Sequence, residues 1–184
     1  MIDAYFSRLE HLLIIILPFM NYDGTKHNLV NLMGAVWSDK FKAVFDLSKD
    51  ATARRVYESL IDLRERHRNP ISHGNFKKDG KSLFFHFPQG AISCQLSESE
   101  RSNSITRLDA AEFEAVCSLL DEVDSFFENG PAEFGYRYAK SGLDIAFDDN
   151  SLKQYKNAAQ DHESLEEYIN YQSEIACMHI NMDW

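Results

Sequence analysis

An arginine, an asparagine and a histidine lie within six residues of one another in the segment RNPISH, as Arg68, Asn69 and His73. An arginine guanidinium can hold two oxygens of a phosphate and keeps its charge near neutral pH. A histidine, whose ordinary pKa is about 6.5, can accept or release a proton at that pH. Together, Arg68 can bind a phosphodiester of RNA and His73 can deprotonate the neighbouring 2'-hydroxyl without a metal ion, while Asn69 orients the histidine or the phosphate.

The two charged residues need a break in the helix between them. On a straight α-helix Arg68 and His73 would lie about 140° apart around the axis, which is too far for both to contact one phosphate. Pro70 has no amide hydrogen and disfavours helical geometry at Asn69, so a helix must end or kink there. Asn69 as an N-cap, followed by Pro70 at the first helical position, would begin a new helix.

The motif lies in a basic segment of an acidic protein. The net charge of the 184 residues is -10, which argues against a protein that coats nucleic acid by charge alone. Residues 64 to 81 nevertheless carry six basic and two acidic side chains, a net of +4, so the remainder carries -14. We therefore predict that Arg64, Lys77 and Lys78 contact RNA phosphates, although such a run is also typical of a solvated turn.

A purely structural interpretation of the motif stays open at this point. Arg68 can form an ion pair with a carboxylate such as Asp62 or Glu65, while Asn69 and His73 merely cap helices. An arginine and a histidine five residues apart occur often by chance, so the spacing alone does not decide between the two interpretations.

Several other classes of protein are not supported by the sequence. The three cysteines form no CxxC pair, so neither a disulfide framework nor a zinc site is predicted, and a reducing cytoplasm fits best. The apolar run at residues 12 to 19 is too short to span a bilayer. No HExxH, Walker loop, dinucleotide glycine pattern or calcium loop is present. We expect no metal site, no cofactor and no membrane association.

Apolar residues at three-and-four spacing predict the helices that position the motif. They predict a first helix over 2–17, on which His11 is expected to face solvent, a second over 29–45 that Gly34 interrupts, and a third over 52–67. Asp109 and Glu112 have the form of a capping box that begins a further helix, which ends at ENGP.

The remaining elements complete the predicted architecture. Alternating apolar residues on both sides of PQG predict a β-hairpin at about 81–96. Residues 131–184 form an acidic segment that is predicted to contain two more helices, with a break at 148–151 and Ser151 as a candidate N-cap. The predicted fold is all-α: a helical domain over 1–130 that includes the hairpin, and an acidic helical extension over 131–184 packed on the same domain.

RNPISHG at the end of a helix resembles the signature of the HEPN family (higher eukaryotes and prokaryotes nucleotide-binding). That signature is an Arg, four to six residues and a His, with a polar residue, often Asn, directly after the Arg. Arg68, Asn69 and His73 match it, and the resemblance covers about residues 5–130, with the hairpin as an insertion. It implies a helical bundle that commonly dimerises, with the two motifs facing each other across a twofold axis.

The resemblance also implies a function. Many HEPN proteins are metal-independent endoribonucleases of toxin-antitoxin, phage-defence or RNA-processing systems, in which Arg68 and His73 would be catalytic and Asn69 supporting. The expected products are a 2',3'-cyclic phosphate and a 5'-hydroxyl, and DNA is not cleaved because it lacks the 2'-hydroxyl. The implied partners are RNA or a nucleotide, a second copy of the chain, and an antitoxin or regulatory protein. The alternative is a non-catalytic HEPN module that acts as a dimeric scaffold for a nucleotide or a protein, which the net charge of -10 favours.

Overall fold

The computed structural model describes residues 2–20, 22, 24, 28–65, 82–87, 90–95 and 110–182, with backbone alone for the two segments between 82 and 95. Within these ranges the regular secondary structure is helical apart from one two-stranded hairpin. The described helices are α1 (Ile2–Ile16), α2 (Leu29–Met33), α3 (Trp37–Val44), α4 (Ala51–Leu63), α5 (Ala110–Asn129), α6 (Glu133–Lys140), α7 (Asp149–Ala158) and α8 (His162–Met182). The predicted all-α class is confirmed for these helical parts.

The hairpin comprises β1 (Ser82–Phe87) and β2 (Gly90–Gln95). The strands are antiparallel, with Leu83 opposite Cys94 and Phe85 opposite Ile92. They lie within the range 81–96, over which the alternating apolar pattern predicts such a hairpin.

The chain divides into two compact units. The first comprises Met1–Asp3 and Arg55–Val123, and the second comprises Ala4–Arg54 and Asp124–Trp184. The first unit contains the hairpin and most of α4 and α5, and the buried side chains that it contributes include Leu60, Leu63 and Val123. The division predicted at residue 130 stays a prediction.

The second unit is built around α1. The buried face of this helix consists of Phe6, Leu9, Leu12, Leu13 and Ile16, at the spacing that gives one stripe of an α-helix. The helix ends one residue before the predicted end, because Pro18 cannot donate the next helical hydrogen bond, and a 3₁₀ turn (Leu17–Phe19) follows. The predicted first helix is therefore confirmed.

Aromatic rings fill the core of the second unit. Phe127 is fully buried and its ring lies 6.4 Å from that of Phe41, 6.0 Å from that of Phe45 and 6.2 Å from that of Tyr136, centroid to centroid. These distances are those of favourable edge-to-face and offset ring pairs. The cluster therefore joins α3, α5 and α6 through one side chain of α5.

A polar network ties α1 to α5 and α6 beside this core. Tyr5 donates a hydrogen bond of 2.9 Å to Asp124 Oδ1, and Arg8 donates one of 3.2 Å to Asp124 Oδ2 and one of 3.3 Å to the Tyr136 hydroxyl. Burial, together with the charge of Asp124, raises the pKa of Tyr5 far above its ordinary value. The Tyr5 hydroxyl therefore stays a donor to the Asp124 carboxylate at any physiological pH.

Three tyrosines hold the extended segment 143–147, which joins α6 to α7. The rings of Tyr138, Tyr155 and Tyr168 contact one another. Tyr138 donates a hydrogen bond of 2.6 Å to the Asp144 carbonyl, and the Ala146 amide donates one of 3.1 Å to the Tyr155 hydroxyl. These hydrogen bonds to backbone groups of the segment hold it against the cluster of tyrosine rings.

Two of the predicted helices differ in extent from the structure. The second is divided into α2 and α3, because the chain turns at Gly34 and Ala35 and is extended at Val36. The third ends at Leu63, where a π turn at 64–65 follows. The part of the prediction from 66 to 67 lies outside the described residues.

The prediction of two helices over 131–184 is wrong, because the described chain forms three there: α6, α7 and α8. The candidate cap Ser151 is also wrong. Asp148 is the N-cap of α7: its Oδ1 accepts hydrogen bonds of 3.1 Å from the amides of Asn150 and Ser151. A carboxylate three residues earlier thus takes the role assigned to the serine, whose hydroxyl donates to Asp148 Oδ2.

Replacing Phe127 by alanine tests the aromatic core. We expect Phe127→Ala to lower the free energy of unfolding by about 3–5 kcal/mol, since it removes a fully buried ring from a packed cluster. The matched control is Phe113→Ala on the same helix, where the ring is 48% exposed and a loss of no more than about 0.5 kcal/mol is expected. Urea denaturation measures both. Equal losses would contradict the assignment of Phe127 to the core.

Candidate functional site

The residues of the predicted catalytic motif lie outside the described part of the chain. These are Arg68, Asn69 and His73, together with the predicted RNA contacts Lys77 and Lys78. Their roles stay predictions. Of the residues assigned to RNA, Arg64 alone is among those that the structure describes.

α4 is the element that carries the chain to the motif. Asp50 begins the helix by accepting hydrogen bonds of 2.9 Å from the amides of Thr52 and Ala53, which satisfies two amides that have no partner within the helix. Val56, Leu60 and Leu63 are buried on one face. The helix is therefore anchored at both ends, and its last apolar contact lies one residue before Arg64.

Arg64 lies in the π turn at the end of α4, with a partly exposed side chain. Its Nε is buried and has no hydrogen-bond partner within the part of the chain that the structure describes. Leaving such a donor without an acceptor costs roughly 1–3 kcal/mol. π turns inside or at the end of α-helices are frequent at functional sites. Arg68 of the motif follows four residues later.

The second unit contains a cleft of about 740 Å³ that the sequence did not predict. α1, α2, α3 and the segment 143–147 line it. Its charged or titratable residues are Glu10, His11, Lys40 and Asp144, and its apolar ones are Ile14, Ile15, Met33, Leu143, Ile145 and Phe147. His11 is exposed, as predicted.

Lys40 is the unusual residue of this cleft. Its side chain is 7% exposed, and Lys40 Nζ lies 3.8 Å from Glu10 Oε2. Glu10 Oε1 accepts a hydrogen bond of 3.2 Å from the amide of Trp37, the first residue of α3. Glu10 therefore caps α3 from another helix and balances the charge of a buried lysine one turn further along.

The position of Lys40 in the sequence is a signal that its side chain is unusually buried. It lies three residues after Trp37 and four before Val44, both of which are buried on the apolar stripe of α3. A lysine on such a stripe must either extend its ammonium to solvent or bury it beside a partner. The structure shows the second outcome, and only the position of Glu10 on α1 decides it.

A second and more open pocket of about 490 Å³ lies between α7 and α8. Its lining is mostly polar and includes Gln154, Asn157, Tyr171 and Gln172. Tyr168 donates a hydrogen bond of 3.3 Å to Gln154, and burial with the neighbouring Tyr155 raises the pKa of Tyr168 to about 12. The lining also contains one carboxylate, that of Glu167.

Two further findings concern the described residues. No group of three or more His, Cys, Asp or Glu side chains among them could hold a metal ion. Every helix described is too short or too polar to cross a membrane.

Comparison with known proteins returned no match: no family model, no curated protein and no solved structure resembles this chain significantly. The resemblance to HEPN proteins therefore rests on the motif around Arg68 and His73.

Replacing Arg64 in the turn that ends α4, and Arg54 in α4 itself, tests whether Arg64 Nε lacks a hydrogen-bond acceptor. We expect Arg64→Met to leave the free energy of unfolding unchanged or to raise it by up to about 1 kcal/mol, because methionine keeps the apolar stem and removes an unsatisfied donor. Arg54→Met is the matched control. Arg54 Nε donates a hydrogen bond of 2.9 Å to the Leu47 carbonyl, so its loss is expected to cost about 1 kcal/mol.

Chemical denaturation of both variants without RNA measures the difference. A larger loss of stability in Arg64→Met than in Arg54→Met would show that Arg64 has a structural partner, and would remove it as a candidate phosphate ligand.

Proposed function

We propose that this protein is a metal-independent endoribonuclease of the HEPN type. The observation that carries the proposal is Arg64: a partly buried arginine whose Nε has no acceptor within the described residues, four residues before the Arg68-x4-His73 motif. A protein that only needed stability would gain by replacing this side chain. The presence of an arginine here despite that cost supports a role for its partly exposed guanidinium in binding phosphate.

The proposed mechanism uses three side chains of the motif. Arg68 holds the non-bridging oxygens of the scissile phosphate and stabilises the charge that develops on them. His73 removes the proton of the adjacent 2'-hydroxyl, whose oxygen attacks phosphorus. The bond from phosphorus to the 5'-oxygen of the next nucleotide breaks, and that oxygen takes up a proton from water to become the 5'-hydroxyl. Asn69 orients His73 or the phosphate. The products are a 2',3'-cyclic phosphate and a 5'-hydroxyl.

Electrostatics favour a local rather than an extended RNA contact. The basic segment 64–81 carries +4 and the remainder of the chain carries -14, so the RNA is attracted at the motif and repelled elsewhere. Arg64, Lys77 and Lys78 are the proposed contacts to flanking phosphates. A homodimer would place two such segments opposite each other across a twofold axis, as is common among HEPN proteins, while the hairpin is an insertion in the proposed bundle. An antitoxin or regulatory protein is a further proposed partner in the cytoplasm.

A second candidate function is a non-catalytic HEPN module, a dimeric scaffold that binds a nucleotide or a protein. The net charge of -10 favours it, since a nuclease that processes long RNA gains from a positive surface. The same Arg64 and Arg68 would then hold the phosphate of a nucleotide without cleavage. The two functions differ in whether His73 reaches a 2'-hydroxyl.

Cleavage of a mixed-sequence RNA in EDTA by the wild type and by His73→Ala tests the proposal. We expect wild-type cleavage to persist in EDTA and to fall by about 100-fold or more in His73→Ala, because a general base is lost. Mass spectrometry should find 2',3'-cyclic phosphate ends. RNA with 2'-deoxy substitution should stay intact.

The matched control is His162→Ala. His162 is exposed at the start of α8, with Nε2 3.6 Å from Glu133 Oε1, and lies far from the motif in sequence, so cleavage should be unchanged. Cleavage that needs a divalent ion, or that survives in His73→Ala, would exclude the proposed mechanism. Nucleotide binding without cleavage, by a folded dimer, would establish the scaffold function instead.

A further inference from the structure

The cleft of the second unit contains Lys40, whose side chain is 7% exposed and whose ammonium group has no hydrogen-bond acceptor among the described residues. Lys40 Nζ can donate three hydrogen bonds, yet its partner within the described residues is Glu10 Oε2 at 3.8 Å. That distance allows an ionic attraction but exceeds hydrogen-bonding range. Burial of a lysine without a close acceptor is rare, because the lost hydration is not replaced.

Glu10 is held away from Lys40 by its other contact. Its Oε1 accepts from the Trp37 amide at the start of α3, where Val36 supplies no side-chain cap. The helix terminus thus competes for the carboxylate, since the first amides of a helix lack partners within it. The donors of Lys40 therefore remain available to a molecule in the cleft.

The remainder of the cleft is suited to an apolar chain. Ile14, Ile15 and Phe147 are half-buried along its walls. Met33 is 58% exposed and leaves a route from solvent. The volume of about 740 Å³ is that of a typical small-molecule pocket.

The charges of the lining select the head group of the ligand. Glu10 and Asp144 are acidic against the single charge of Lys40, so the cleft carries -1 with His11 neutral. A phosphate group or a longer polyanion with two or more charges would be repelled by this excess. The repulsion is smaller for a head group with a single negative charge, which can still accept hydrogen bonds from Lys40.

We propose that this cleft binds a small monocarboxylate with an apolar chain. The carboxylate accepts hydrogen bonds from Lys40 Nζ, and the chain lies along Ile14, Ile15 and Phe147. The site is separate from the RNA motif and does not depend on the proposed nuclease activity.

Calorimetric titration of the full chain with octanoate tests the proposal. We expect saturable one-to-one binding of octanoate and about tenfold weaker binding of 1-octanol, which keeps the apolar chain but lacks the charge. Octyltrimethylammonium, which reverses the charge, should bind more weakly still. Inorganic phosphate should not bind at this site.

Two lysines of α3 give matched variants. In Lys40→Met the affinity for octanoate should fall about tenfold or more, while that for 1-octanol should change little. Lys42→Met removes an exposed lysine of the same helix that does not line the cleft, and its affinity for octanoate should equal that of the wild type.

A third variant keeps the test decisive if Lys40→Met fails to fold. Met33→Asp changes an exposed side chain at the rim, and its negative charge should weaken octanoate binding several-fold. The proposal is overturned by any of three results: no saturable octanoate binding to the wild type, equal or tighter binding of octyltrimethylammonium, or unchanged octanoate affinity in Lys40→Met or Met33→Asp.

Discussion

The burial of α1 is the constraint on which the second unit depends. A stripe of five apolar side chains on this helix must be covered, and the helices that follow Asp124 help to cover it. The cover is close. A Cβ on Gly135 would lie 3.0 Å from Ile16 Cα, so a larger residue there would push α6 and α1 apart by a few tenths of an ångström. Asp124 then fixes the rotation of α1 by binding both Tyr5 and Arg8.

The two candidate sites share one physical principle, which is a donor kept without a matching acceptor. Arg64 Nε has no partner within the described residues, and Lys40 Nζ has a carboxylate that stays at 3.8 Å. Protein interiors normally satisfy such groups. The anionic ligands proposed for them differ because the surroundings differ: Arg64 belongs to a segment with a net charge of +4, whereas the cleft around Lys40 also contains two carboxylates.

The sequence predicted the helices best where the apolar periodicity is strong and a residue that ends a helix, such as proline, follows it. α1 was recovered to within one residue because its stripe is regular and Pro18 ends it. α2 and α3 were merged because their stripes continue in phase across Gly34 to Val36. The three C-terminal helices were counted as two because much of the packing there is by tyrosines such as Tyr138 and Tyr155, which periodicity arguments weigh less than aliphatic residues.

Of the sites, the motif could be read from residue types alone, because Arg68 and His73 are close in sequence. The Lys40 cleft could not, since its lining comes from α1, α2, α3 and the segment 143–147, the first and last of which are more than a hundred residues apart. A lysine on the apolar stripe of α3 was the available signal. The sequence could not show that Glu10 is the partner of Lys40. Glu10 is placed there because it also accepts a hydrogen bond from the amide of Trp37, and that contact requires the packing of α1 against α3.

The long sequence separation within the second unit has a consequence for biosynthesis. The contacts of Tyr5 and Arg8 with Asp124 and Tyr136 span more than a hundred residues, so they cannot form while only the N-terminal half has left the ribosome. Until then the apolar stripe of α1 lacks its C-terminal cover, and a chaperone that recognises apolar helices is the natural occupant of that surface. Completion of this unit therefore waits until Asp124 and Tyr136 have been synthesised and have left the ribosome.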